Sequence, residues 1–473
     1  MGFPQIIQGG MGVAVSTWPL ARAVSQNGQL GVVSGTGLDA VFARRLQLGD
    51  PDGQMRFALD HFPIREVAER VWERYFVEGG KKLNKAFKSK PIANQHSSKA
   101  LLELTVVANF VEIFLAKHGH DGLVGINLLE KIQIPTLPSL YGAMLAKVDY
   151  VLMGAGIPRA IPAILDKLAS LQPTQHKLDV AGAQPGEEFV VEFHPADFAP
   201  PGVSELPRPK FLAIIASATL AITLVRKGTG RVDGFVVEGP TAGGHNAPPR
   251  GTMQLSGTGE PIYGPRDEPD LKEIAQLGLP FWLAGSFAEP EKLQEALSLG
   301  ASGIQVGTVF AFCEESGIEA SIKRRVIERC LNDTAAVFTD PLASPTGFPF
   351  KVLQLEGSLS EKDVYENRER ICDLGYLRQS YRKDDGTVGY RCPAEPLVDY
   401  TSKGGKPEDT VNRKCVCNGL FSTTGMAQRR KDGQIEPPLL TAGDDITNLS
   451  KVIPPGQTSY RAIDVINYLL GSA

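Results

Sequence analysis

A single histidine, His245, follows Gly243-Gly244 a few residues past a short apolar run at residues 233–238. Imidazole has an unperturbed pKa suited to proton transfer near neutrality. Two glycines at the mouth of a buried strand let the main chain turn sharply and approach a flat ligand. The bland alternative is a glycine-rich turn carrying a surface histidine, and spacing alone does not separate the two. A second constellation lies downstream. Ala284-Gly285-Ser286 and Gln305-Val306-Gly307-Thr308 place small residues at the ends of two successive late strands, separated by one helix. Backbone N–H groups in such a pair of turns can hold a phosphate; ordinary glycine punctuation is the other reading.

Other reactive side chains carry less. Glu238, just before the glycines, is expected to orient the loop or cap its strand. Arg250 is expected in an exposed loop, and Lys323-Arg324-Arg325 on the solvated face of a helix. Cys372, Cys392, Cys415 and Cys417 could supply four thiolates. However, the Cys415-Val416-Cys417 gap is shorter than a zinc knuckle uses, and no histidine follows residue 245. No metal is expected; reduced, partly buried thiols are.

The elements that must position these residues alternate. Apolar strand-like runs end in small or polar residues near Gly9, Gly35, Asn127, Gly154, Ser217, Gly239, Gly285 and Gly307, and nearly all precede a helical pattern. Eight such units within about 310 residues fit an α/β fold, an eight-stranded (β/α)8 barrel of TIM type. Catalytic groups then belong at the carboxyl ends of the strands. An open doubly wound sheet is the runner-up, but no G-x-G-x-x-G opens a helix after the first strand. Residues 39–118 read as a helical insertion, because a structureless loop of that length is improbable. A hairpin is expected within 179–193, and residues 318–332 are expected to form the eighth barrel helix. The division is a barrel over 1–352 and a mainly helical cap or side region over 353–473, whose last helix could return to the barrel.

Composition sets limits. The 473 residues are 42% hydrophobic and 22% charged with net charge -4, ordinary for a globular protein and unsuited to bulk nucleic-acid binding. No apolar run approaches the roughly 20 residues needed to span a bilayer. The N-terminus lacks the basic stretch of a signal peptide. Six cysteines in so long a chain make no disulfide framework, so a cytoplasmic location is expected.

Taken together, Gln8-Gly9-Gly10-Met11-Gly12, Gly243-Gly244-His245, Gly285-Ser286 and Gln305-Val306-Gly307-Thr308 resemble the nitronate monooxygenase (2-nitropropane dioxygenase) family. Its relatives include FMN-dependent enoyl-thioester reductases and the trans-acting enoyl reductases of polyketide and polyunsaturated fatty acid synthases. The similarity covers about residues 3–350. It implies an FMN-binding barrel, with flavin contacts on Gly9, Gly10, Met11, Gly12, Asn127, Ser217, Gly243, Gly244, Gly285, Ser286, Gln305, Gly307 and Thr308, and with His245 as the proton-transfer residue. Two departures bear on the substrate. Ala216-Ser217 stands where many relatives have a lysine, and residues 246–251 replace a shorter turn.

The resemblance implies an FMN-dependent oxidation of a small carbon acid of the alkyl nitronate type with O2. An NAD(P)H-dependent reduction of an enoyl thioester on an acyl carrier protein or CoA is the first alternative. A flavin-binding, non-catalytic scaffold is the second.

Overall fold

The computed structural model describes residues 2–471. Eight parallel strands close into a barrel: β1 (Ile6–Gln8), β2 (Leu30–Ser34), β3 (Val124–Leu129), β4 (Tyr150–Gly154), β5 (Lys210–Ile215), β6 (Gly234–Glu238), β7 (Phe281–Ala284) and β8 (Gly303–Val306). Each pairs with its sequence neighbours, and β1 closes the ring on β8 with Ile6 opposite Ile304. The strands are nearly continuous apolar runs because helices cover the outside while side chains fill the inside.

Alternation sorts the two faces. Ile7, Leu30, Val32, Leu152, Leu212, Val236 and Trp282 form a separate buried cluster inside the barrel. Two residues further along their own strands, and therefore on the same face, come Gly9, Gly154, Ile214, Glu238 and Ala284. Register sets Ala284 level with both Glu238 and Gln305. These residues form the top layer of the barrel interior, at the carboxyl ends.

The segment after β2 forms four helices, Leu38–Gln47, Gln54–Asp60, Arg65–Tyr75 and Lys99–Lys117. The last is apolar nearly all round and is buried among its neighbours. Beyond β8 the chain forms two antiparallel pairs, Val337–Asp340 with Phe350–Leu353 and Gln379–Arg382 with Val388–Arg391, and several short helices.

Three local expectations change. The hairpin begins earlier, with Thr174–Lys177 pairing to Val190–Phe193; its first arm is polar on alternate residues and gives a weak strand signal. Residues 361–374 carry a helical pattern in the sequence, but only Lys362–Glu366 forms a helix. The helix lying between those of the first and seventh units is Ala462–Leu470, which packs on Trp18–Gln26 and Pro290–Ser298. Ala320–Leu331 docks instead on residues 444–452. An amphipathic stripe reports that a helix has a buried face, not which neighbour covers it.

Candidate active site

A cavity of about 230 Å³ opens over the carboxyl ends of the barrel strands. Its wall includes Gly9, Gly10, Met11, Gly12, Asn127, Gly243, Gly244, His245, Gly285, Ser286, Gln305, Gly307 and Thr308. Ser217 is not on the wall. Its hydroxyl accepts a hydrogen bond from the Leu220 N–H at 3.3 Å and caps the helix Ala218–Lys227.

The floor holds polar atoms without partners. The side-chain carbonyl oxygens of Asn127 and Gln305 are buried and accept no hydrogen bond. The Asn127 amide is oriented by donating from Nδ2 to the Gly10 carbonyl at 3.0 Å. Among the described residues, the main-chain N–H groups of Gly285, Ser286, Gly307 and Thr308 also find no acceptor. Ser286 holds a φ of 57°, a left-handed conformation that costs a serine energy and fixes the turn. Buried polar groups are normally paired, so this concentration marks a place built for a ligand with both donors and acceptors.

The two glycines before His245 both line the cavity, and each also answers a local need of the backbone. A side chain on Gly243 would collide with the Ala442–Gly443 backbone at 2.9 Å, so this glycine allows close packing against the C-terminal region. Gly244 supplies a φ of 85° and donates its N–H to Thr441 Oγ1 at 2.8 Å. The loop is pinned from the other side too. Lys351 N–H donates to the Gly244 carbonyl, and Asn246 N–H to the Pro349 carbonyl, both at 3.0 Å.

His245 is thereby held in one position. Its Nε2 lies 2.6 Å from the buried Ser344 hydroxyl, and its ring meets Phe350 edge-on at 4.8 Å. Burial, and secondarily the charge of Lys131, hold its pKa well below the ordinary 6.5, so the ring is neutral at physiological pH. A neutral, oriented imidazole is suited to accept a proton. Lys131, on the loop after β3, is itself buried with its Nζ unpartnered, 3.9 Å from the Phe348 ring centroid. Burial lowers its pKa to about 8.

Sequence reasoning missed two parts of the site. Glu238 faces the cavity instead of bonding the loop, and burial raises its carboxyl from 4.5 to about 7. Its shared face with Val236 was the available signal. The second part is the cover, made by Tyr376, Leu377, Val416, Cys417, Leu420 and Leu439–Ala442, with Asp445 beside Thr308. Thr308 Oγ1 accepts from the Gly443 N–H at 2.9 Å and is also bonded to Asp445. Its main-chain N–H, not its hydroxyl, is the free group.

The four C-terminal thiols gather in one apolar cluster and are not joined by disulfides. Among the described residues, no three His, Cys, Asp or Glu side chains are grouped to hold a metal ion. No helix among them is long and apolar enough to cross a membrane. Arg250 is exposed, and its N–H donates to Asp267 Oδ1 at 2.7 Å, away from the cavity.

The family model of nitronate monooxygenase matches residues 170–343, which include β5 to β8, His245 and both late strand ends. A carboxyl-CoA dehydrogenase of Mycobacterium tuberculosis, acting on a 5-hydroxy-7a-methyl-1-oxo-octahydro-indene substrate by name, is 29% identical over 124 residues, 26% of this chain and 30% of the relative. A probable nitronate monooxygenase of Staphylococcus haemolyticus is 26% identical over 188 residues, 38% of this chain and 48% of the relative. The chain thus spans less than half of either relative. Among solved structures, FabK from Thermotoga maritima superposes with a TM-score of 0.48 at 15% identity, covering 99% of this chain and 92% of that one. Over residues 170–343 the chain is similar to the nitronate monooxygenase family.

Proposed function

We propose that the chain is an FMN-dependent oxidoreductase that oxidises a small carbon acid of the alkyl nitronate type with O2. The observation that carries this reading is the match of residues 170–343 to the nitronate monooxygenase family, over the segment that positions His245 beside the cavity.

The residues present fit a flavin mononucleotide. The free N–H groups of Gly285, Ser286, Gly307 and Thr308 supply donors for a phosphate at adjacent strand ends. The unpartnered carbonyl oxygens of Asn127 and Gln305 suit the donors that FMN offers, one ring N–H and the ribityl hydroxyls. One compact donor set, with no dinucleotide fingerprint, favours FMN over FAD. Bound flavin would accept electrons from the substrate and pass them to O2. His245, neutral and fixed by Ser344, would take the α-proton when the carbon acid enters in its neutral nitro form, whereas a nitronate enters already deprotonated. The cover excludes water with apolar side chains, which strengthens every polar interaction beneath it.

A specific observation favours a second reading, NAD(P)H-dependent reduction of an enoyl thioester carried by CoA or an acyl carrier protein. Leu377, Val416, Leu420, Leu439 and Leu440 give the cavity an apolar side larger than a small nitronate needs. One of the relatives is also named for a CoA-linked substrate. Anaerobic mixing separates the two. Flavin bleached by an alkyl nitronate but not by NADH or NADPH supports the first reading, and the reverse supports the second. Bleaching by neither leaves a flavin-binding scaffold.

A further inference from the structure

Glu238 ends β6 in the top layer of the barrel, facing the cavity, and its carboxyl has no hydrogen-bond partner among the described residues. Its surroundings offer no compensating charge. The adjoining strands present Ile214 from β5 and Ala284 from β7, and Asn127 and Gln305 complete that layer. From its own loop comes His245, neutral and committed to Ser344. The C-terminal cover contributes three titratable groups. The Tyr376 hydroxyl donates to Asp39 Oδ1 at 2.5 Å, Cys417 is kept as a thiol by burial, and Asp445 is bonded to Thr308. No lysine or arginine lines the cavity among the described residues; Lys131 acts on His245 from behind the wall.

A substrate anion entering beside Glu238, away from the phosphate donors, therefore meets a carboxyl and no cation. Two like charges in a dry site cannot both ionise without a large penalty. An uncharged ligand escapes that penalty and can donate a hydrogen bond to the carboxylate.

We propose that Glu238 couples substrate entry to protonation: in the flavin-loaded cavity an anionic substrate binds only together with one proton, held on Glu238 and shared with the anion's oxygen, whereas an uncharged one binds without it. The flavin phosphate stands apart, held by the free N–H groups of Gly285, Ser286, Gly307 and Thr308. The proton comes from solvent, and no bond to carbon forms or breaks in this step. The inference rests on the cavity being the ligand site of the preceding section. It makes Glu238 a specificity residue, setting against each other the nitronate and thioester classes named there.

The test uses propionate, which matches a small alkyl nitronate in shape and charge but is not oxidised, and propionamide, its uncharged counterpart. Calorimetry on the FMN-loaded chain, in two buffers of different ionisation enthalpy, counts protons taken up. Above the carboxyl's value of about 7, propionate should bind with close to one proton, and its Kd should rise about tenfold per pH unit. Propionamide should show neither effect, and Glu238→Gln should remove both from propionate. PH-independent propionate binding by the parent, or an unchanged slope in Glu238→Gln, overturns the proposal, as does binding of neither probe at any pH. Infrared titration needs no ligand. A protonated-carboxyl stretch persisting to neutral pH in the parent and absent from Glu238→Gln is expected, and its absence from the parent also overturns the proposal. A chain that binds both probes but no flavin refutes the preceding reading alone.

Discussion

The floor of the cavity, made by strand ends, leaves Asn127 and Gln305 without partners and four N–H groups without acceptors. The cover, made by residues far along the chain, pairs its buried charges with one another, leaving Arg368 Nη2, Glu395 Oε1 and Asn418 Oδ1 as single unpartnered atoms. Arg430 bridges Asp373 and Glu436, and Arg368 pairs with Glu436 as well. Arg44 reaches across from the insertion, donating to the Met426 carbonyl at 2.6 Å with its guanidinium 4.6 Å from the Phe421 ring centroid. Lys90 pairs with Asp39 at 2.7 Å beneath Tyr376. An unsatisfied surface is costly to stability and useful for binding; a satisfied one holds its shape. On the proposed reading, the floor and its His245 loop carry the chemistry and the cover encloses it.

Changes to the two surfaces should therefore fail differently. The largest effect belongs to the loop between them. His245→Ala should lower the rate of flavin reduction by about 10²–10⁴-fold while flavin stays bound. Stopped-flow on fully loaded protein checks it, and His245→Asn, which cannot titrate in this range, should be similarly impaired. Next comes the cover. Glu436→Leu strands the buried Arg368 and leaves Arg430 with Asp373 alone, and should cost about 3–5 kcal/mol of stability, read as a fall in Tm with or without flavin.

The floor should respond to a single methyl group. A side-chain carbon on Gly307 would meet only Met11, with Sδ at 3.5 Å, so the protein itself tolerates it. Gly307→Ala should leave the apoprotein within about 0.5 kcal/mol of the parent. FMN affinity should fall by about 1–3 kcal/mol as the methyl crowds the phosphate. Apoprotein melting and FMN fluorescence titration separate the two.

The smallest effect is a pH dependence. Burial raises the Glu238 carboxyl from 4.5 to about 7, so the folded chain binds more protons than the unfolded chain between those values. Stability from this group is then lost as pH rises through that window. Glu238→Gln should flatten that decline, with its Tm gaining on the parent's as pH increases. His245 acts in the opposite sense. Its depressed pKa means that the unfolded chain takes the extra proton, so its contribution is lost as pH falls below 6.5.

The same contrast explains what could be read in the sequence. The floor was legible because buried parallel strands are short apolar runs, and the turns after β1, β7 and β8 are spelled in glycine and small residues. The cover was not. Arg44 with Met426 and Tyr376 with Asp39 join residues hundreds of positions apart, and no period in the chain encodes such pairs. Gly243 lines the cavity as expected, but its packing against the Ala442 backbone was not legible, because glycine serves close packing and ligand approach alike. Glu238 was legible in principle. Counting by twos from Val236 places it on the inward face, at the end where barrel chemistry sits.

The central claim is that the unsatisfied floor is a mononucleotide flavin site. Acid release of the chromophore from purified protein, followed by chromatography against standards, tests it without any assumption about substrate. The account predicts FMN at close to one per chain. Flavin that migrates as FAD, or none even after reconstitution with FMN, would contradict it.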